Sequence, residues 1–203
     1  MTERIPIFPL HTILFPSTDL GLHVFEDRYR ELVARCLESG EGFGVVLISH
    51  GREVEGPARP FSIGTHAKIV SYARLPDGRY LLEVEGQRRC RIESLNGTAP
   101  YPQADVAWLP EPIGNFANAR EMSVEAEHLF HSYRVSNGDG DMPVRLPVDP
   151  VSRSYVLASL LKIDPSEKQM LLETPAADAR LEQVVGVLRR ELALIDHLRS
   201  KRG

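Results

Sequence analysis

Three prolines, Pro6, Pro9 and Pro16, interrupt the apolar opening of the chain, residues 5–30, IPIFPLHTILFPSTDLGLHVFEDRYR. Each removes a backbone N–H, so the runs 5–10 and 12–15 are predicted as edge or bulged strands and not as one long central strand. A third extended run covers 20–25, and there the period changes. Tyr29, Leu32, Val33, Cys36 and Leu37 recur at helical spacing, and Gly40 stands where a helix C-terminus favours a residue free to adopt positive φ. A short strand leading straight into an amphipathic helix of about three turns follows.

After Gly40, the glycine-punctuated run 43–48 is apolar and β-branched, as a central strand would be. Residues 51–62 carry Gly51, Gly56, Pro57 and Pro60 among charges and read as a loop. Strand residues resume over 63–75, Pro76-Asp77-Gly78 signals a hairpin turn, and 80–84 returns antiparallel. The second strand continues to 95 past Gly86, where a bulge is predicted. On alternation Arg89 and Arg91 share one face of it, and Cys90 and Ile92 the other. Asn96-Gly97 turns the chain, 101–109 gives a last strand, and Pro110, Pro112 and Gly114 mark a boundary.

Beyond that boundary the signals are helical. Residues 117–135 carry Met122, Leu129, Phe130 and Tyr133 among charges, and 136–142 dissolves into a polar, glycine-rich loop. Asp149-Pro150, Asp164-Pro165 and Thr174-Pro175 each set a side-chain acceptor before a proline, which predicts an N-cap followed by proline at the first helical position. In the last helix Leu181, Val184, Val185, Leu188, Leu192, Ile195 and Leu198 form one stripe. The predicted fold class is α+β: a β-rich subdomain with one helix over 1–113, then a bundle of four helices over 114–203.

Composition narrows the function. A formal net charge of −4 and a pI near 6.0 give no general attraction to phosphate backbones, so nucleic acid is an unfavoured partner unless a local basic patch exists. The densest such cluster is Arg88, Arg89 and Arg91; the plainer expectation is that Arg89 or Arg91 pairs with a carboxylate such as Glu26 or Glu83. The two cysteines, Cys36 and Cys90, lack metal-ligand or disulfide spacing and read as buried thiols. No basic N-terminal segment precedes an apolar stretch, and no apolar run reaches the roughly 18 residues of a membrane span, so a cytoplasmic protein without membrane contact is expected.

Catalytic and cofactor signatures are not found. No Gly-rich phosphate cradle ends in Lys and Ser or Thr. Glu125-x-x-His128, with His131 beside it, has the spacing of a di-iron ligand pair, but a second pair and two further carboxylates are wanting. Asn137-x-Asp139-x-Asp141 begins like a calcium loop and fails at Met142, where glycine is required, and at Val148. No catalytic residue, metal site or cofactor is therefore assigned.

The run IPIFPL at 5–10, Phe15-Pro16, and LHVFEDRYR at 22–30 together resemble the N-terminal substrate-binding domain of Lon-type ATP-dependent proteases. VEGQRRCRI at 84–92 resembles that family's Gly-x-x-Arg-x-Arg-Ile strand, and 164–173, with Lys168-Gln169 and Leu171-Leu172-Glu173, resembles its helical half. The one departure is Asp27, where the family often has proline. The resemblance implies a PUA-like pseudo-barrel for the β-rich half and a non-catalytic, polypeptide-binding role, with an RNA-binding module of PUA-like fold as the alternative. Neither the ATPase motifs nor the Ser-Lys dyad of the full proteases is found in the sequence. Expected partners are unfolded or flexible polypeptides, with a protease or a second copy meeting the C-terminal helix. The candidate substrate contacts are Phe8, Leu10, Phe15, Leu22 and Phe25, in a groove where the opening strands approach the helical half.

Overall fold

The computed structural model describes residues 2–48, 60–97, 99–140 and 144–201; most of the expected loop 51–62 and part of 136–142 lie outside them. Its elements are β1 (Glu3–Leu10), β2 (Asp19–Val24), α1 (Asp27–Ser39), β3 (Phe43–Leu47), β4 (Ile63–Arg74), β5 (Tyr80–Asn96), β6 (Gln103–Trp108), α2 (Phe116–Ser136), α3 (Pro150–Leu160), α4 (Pro165–Glu173) and α5 (Ala177–Ser200). The architecture is α+β. Two compact units emerge, Met1–Pro110 with Ile163–Leu172, and Glu111–Lys162 with Glu173–Gly203. Nearly all of α4 thus groups with the strands, where the sequence suggested a bundle of four helices.

In the first unit the strands lie in the order β2-β5-β4-β3-β1-β6, and β6 also pairs with β5. Pairings among β1, β3, β4, β5 and β6 therefore close on themselves, and β2 is attached outside the ring. Contrary to the edge position expected from its prolines, β1 has neighbours on both sides. Its register explains how: residues 3–6 pair antiparallel with β6 and residues 7–10 parallel with β3. Each half is locally an edge, the setting in which Pro6 and Pro9 are tolerated.

The run 12–15 is not a strand. Leu14 and Phe15 are buried, but Pro16 and Ser17, at φ 62°, turn the chain over Gly86. There Ser17 N–H donates to the Gly86 carbonyl (2.8 Å), Gly86 N–H to the Thr18 carbonyl (2.9 Å), and the Thr18 hydroxyl to the Phe15 carbonyl (2.8 Å). The apolar pattern marked burial without marking a ladder. Beside this contact lies the expected bulge: Ala67 pairs with Gly86 and His66 with Arg88, leaving Gln87 unpaired in register.

Helix α1 follows the sequence expectation. Tyr29, Leu32, Val33 and Cys36 are its buried stripe, and Gly40, at φ 72°, closes it with an N–H bond to the Cys36 carbonyl. The stripe packs on Phe8, whose ring meets Tyr29 at 4.3 Å and Phe43 at 5.9 Å, both edge-on. On the opposite face of β1, Ile5 and Ile7 join Val46, Cys90, Ala104 and Val106 in a second apolar cluster. Arg89 is 1% exposed and donates to the carbonyls of Leu172 (2.9 Å) and Pro110 (3.0 Å), so backbone acceptors hold it where a carboxylate such as Glu26 or Glu83 was expected. Gln169 adds a bond to the Ile63 carbonyl (3.0 Å), and these contacts fasten α4 within the β-rich unit.

In the second unit α2 and α5 run parallel: Asn118 meets Glu182, Glu125 meets Arg189, and Ser136 meets Arg199. Asp149 caps α3 through Ser152 N–H (2.8 Å), with Pro150 at the first helical position as expected. The third such start shifts. Helix α5 begins at Ala177, whose N–H donates to the Pro112 carbonyl while Asp178 N–H donates to that of Ile113, and Thr174 turns its hydroxyl to Gln183. Arg180 is fully buried over the Tyr155 ring (3.7 Å) and bonds Ser154 Oγ and the Thr174 carbonyl. The stripe of α5 is buried through Leu188, half-buried at Leu192 and Ile195, and 57% exposed at Leu198. Among the described residues no helix is long and apolar enough to cross a membrane.

Candidate functional site

Six residues, Asp19-Leu20-Gly21-Leu22-His23-Val24, alternate cleanly in β2. Leu20, Leu22 and Val24 pair with Val84, Leu82 and Tyr80 and turn inward; Asp19, Gly21 and His23 pair with Glu85, Glu83 and Leu81 on the outer face. Phe25, 60% exposed, stands next to His23 with ring centres 5.9 Å apart, and Leu81 is 45% exposed. Arg79, bound to Asp77, reaches His23 Nε2 at 3.3 Å. Toward the other end, Glu83 accepts from the Ser71 hydroxyl (3.4 Å) and Glu85 from Gln87 (3.0 Å). The outer face thus carries Phe25 and Leu81, with Arg79 beside them, at one end, and Asp19, Glu83 and Glu85 at the other, where Lys68 stands opposite Glu85 on β4.

Of the described strands, β2 alone has a single neighbour. The Gly86-to-Thr18 bond sets the phase of its ladder, because hydrogen-bonded and non-hydrogen-bonded pairs alternate along antiparallel strands. Leu20, Leu22 and Val24 then exchange bonds with β5, and the N–H and C=O groups of Asp19, Gly21 and His23 point away from the sheet. No side chain fills the space at Gly21: a Cβ there would meet nothing within 4 Å.

Phe8 and Phe15, two of the five candidate contacts, are core side chains, and Leu10 and Leu22 are partly buried against the same core. Phe25 alone of the five is largely exposed. The outer face also holds Leu81 and His23, which sequence reasoning missed. Leu81 carried a usable signal, being apolar in the outward phase of a run whose inward residues are Tyr80, Leu82 and Val84.

The arginine cluster disperses. Arg89 is interior, and Arg88 lies 3.6 Å over the Trp108 ring, whose Nε1 donates to Glu3 (2.9 Å). His66 meets the same ring edge-on at 5.4 Å, and burial, then Arg88, lowers its pKa. A cavity of about 470 Å³ beside them is lined by both signs of charge, including Glu3, Arg4, Glu41, His66, Lys68 and Arg88. Arg88 thus covers one face of the Trp108 ring. Asp105 is held well below the usual carboxylate range, first by its bond from Arg4 and then by those from Asn96 and Ser94.

On α2, Glu125 pairs with Arg189 and Glu127 with Arg153, so the carboxylates near His128 and His131 are engaged in ion pairs. Among the described residues no group of three or more His, Cys, Asp or Glu converges on a metal position. The end of the calcium-like run, Asp141 and Met142, lies outside the described residues. Cys36 and Cys90 are buried free thiols.

The family model of the ATP-dependent protease La (LON) substrate-binding domain matches residues 4–190. The Lon protease of Roseiflexus castenholzii is 30% identical over 200 residues, covering 95% of this chain and 25% of that protein. Lon protease 2 of Syntrophobacter fumaroxidans is 27% identical over 209 residues, covering 97% and 25%. The chain therefore spans about a quarter of the length of these curated relatives. Among solved structures, the Lon N-terminal domain protein from Xanthomonas campestris superposes with a TM-score of 0.69 at 26% identity, covering 91% of this chain and 98% of that one. The N-terminal domain of the Mycobacterium avium complex Lon protease gives 0.70 at 20% identity over 92% and 98%, a likeness of fold. With the model match running through the strands and on into α5, the chain belongs to the Lon substrate-binding domain family.

Proposed function

We propose that these 203 residues recognise polypeptide and perform no hydrolysis, capturing apolar segments of unfolded or flexible chains. Membership of a substrate-binding family carries the proposal. The exposed group of Phe25, Leu81 and His23 on the outer face of β2 and β5 supports it, because soluble proteins rarely cluster large apolar side chains on a surface without a partner for them. Phe8 belongs to the core cluster that holds Val24, Tyr80, Leu82 and Val84 beneath this face, with Leu10 and Leu22 partly buried against it, and Phe15 is buried. In this reading the closed ring of strands is a PUA-like pseudo-barrel whose added strand, β2, carries the recognition surface.

Apolar recognition is non-directional, so affinity should be modest and tolerant of sequence. Fluorescence anisotropy with a reduced, unfolded client, alongside suppression of its aggregation, tests the proposal. Binding that weakens in the pair Phe25→Ser and Leu81→Ser is the expected result. Absence of client binding at high micromolar protein, with capture of a folded partner or an RNA instead, overturns it.

A further inference from the structure

We infer that the outer edge of β2 captures its ligand by strand addition: an extended segment pairs antiparallel with Asp19–Val24 and presents an apolar residue followed, two and four positions on, by basic residues. The inference rests on the polypeptide reading above and adds the mode of binding and the pattern recognised. The open edge is what demands a backbone partner. Among the described strands β2 alone lacks a second neighbouring strand altogether, although β4 over 68–74 also pairs with β5 only, and the outward N–H and C=O groups of Asp19, Gly21 and His23 repeat at the spacing that another extended chain matches. Gly21 leaves open space on the outer face at the middle of this row.

Charge and apolarity along the edge then order the ligand. An antiparallel strand runs from the Phe25 end toward Asp19, and antiparallel pairing is the slightly more stable kind. Its first outward side chain lies by His23, Phe25 and Leu81, where an apolar group is covered. The next, two residues on, lies over Gly21 beside Glu83, and the third beside Asp19 and Glu85. Lysine or arginine at both positions answers Asp19 and Glu83, while Glu85 has Lys68 opposite it in register on β4. A second copy of β2 would instead set an Asp19 against a His23 and bring no cation to Glu83; a polypeptide of apolar-x-basic-x-basic pattern suits the surface better.

The test uses a fluorescent ten-residue peptide containing Leu-Thr-Arg-Thr-Lys, the same peptide N-methylated at alternate residues, and an unfolded client protein. Gly21→Pro deletes one outward donor while leaving the bonds to β5, and an edge strand tolerates such a proline. The expected result is binding of the peptide by the native chain, a loss of about fivefold on Gly21→Pro, which removes one hydrogen bond of about 1 kcal/mol, a loss of about 30-fold on N-methylation, which removes at least two, and a shift of preference toward acidic peptides on Glu83→Lys. N-methylation probes the native protein, so the result stands even where Gly21→Pro perturbs folding. Equal affinity for the methylated peptide with undiminished client binding overturns strand addition and leaves polypeptide recognition intact. No binding of peptide or client overturns both. A concentration-dependent dimer abolished by Gly21→Pro, with no peptide bound, assigns the edge to a second copy and overturns the inference.

Discussion

Gly86 lies directly against the backbone of Phe15: a Cβ on Gly86 would stand 2.1 Å from the Phe15 carbonyl oxygen and 2.9 Å from its carbonyl carbon. Backbone cannot swing aside as a flexible side chain can, and both Gly86 N–H and C=O are already bonded to this segment. Gly86→Ala is therefore expected to destabilise the β-rich unit by about 3 kcal/mol, the upper end of overpacking costs. Urea denaturation followed by tyrosine and tryptophan fluorescence measures it; a loss under about 0.5 kcal/mol, the scale of a surface change, contradicts the contact.

Arg89 holds α4 to the strands through the Leu172 and Pro110 carbonyls. Arg89→Met keeps the aliphatic stem and removes every donor, and it should cost about 2 to 4 kcal/mol by leaving buried acceptors unsatisfied. Arg89→Lys should not restore the loss, since one ammonium lacks the planar fork that spans two separated acceptors. Denaturation midpoints of the two variants decide the matter, and full rescue by lysine rejects the bridging role.

Burial divides the stripe of α5. Leu188 is 0% exposed and Leu192 only half-buried. Leu188→Ala is expected to cost about 3 kcal/mol through lost transfer energy and a cavity, and Leu192→Ala about 1 kcal/mol. Chemical denaturation of both variants reads the difference. Equal large losses would mean that Leu192 is covered in solution by something other than its own helical unit.

Burial pushes the Cys36 thiol from its ordinary 9.0 up to about 11 and the Cys90 thiol to about 12. Both folded values lie above the unfolded one. The thiols' contribution is therefore complete below pH 9 and declines as pH rises toward 11 and 12, since the unfolded chain releases these protons first. Unfolding midpoints should fall above pH 9, less steeply in Cys36→Ala relative to its own value at pH 8. The native protein should also resist thiol reagents at pH 8, because the thiolate is the reactive form. Rapid labelling of either cysteine without unfolding contradicts its burial.

Local chemistry was legible wherever a few neighbouring residues decide the outcome. The α1 stripe and its Gly40 terminus, the Asp149-Pro150 start, the hairpin over Pro76-Asp77-Gly78 and the bulge beside Gly86 all follow from period, capping and turn preference. So does the α+β class, since strand period gives way to helix period. Partnership at a distance was not legible. Pro6 and Pro9 announce an edge, but only the register shows a strand whose two halves borrow different neighbours. Phe8 and Phe25 are both aromatic and both near strand ends, yet one is interior and the other exposed, because burial depends on what the rest of the chain lays over each. Arg89 looks like its surface neighbours Arg88 and Arg91 until α4 supplies the Leu172 carbonyl as an acceptor from 83 residues away. The sequence by itself determined most of the strands, helices and turns, through short-range sterics and hydrogen bonding, but not the non-strand course of 12–15 or the start of α5 at Ala177. Only the tertiary structure decided which edge stays open, because an unpaired N–H and a paired one belong to the same residue types and differ only in what lies beside them.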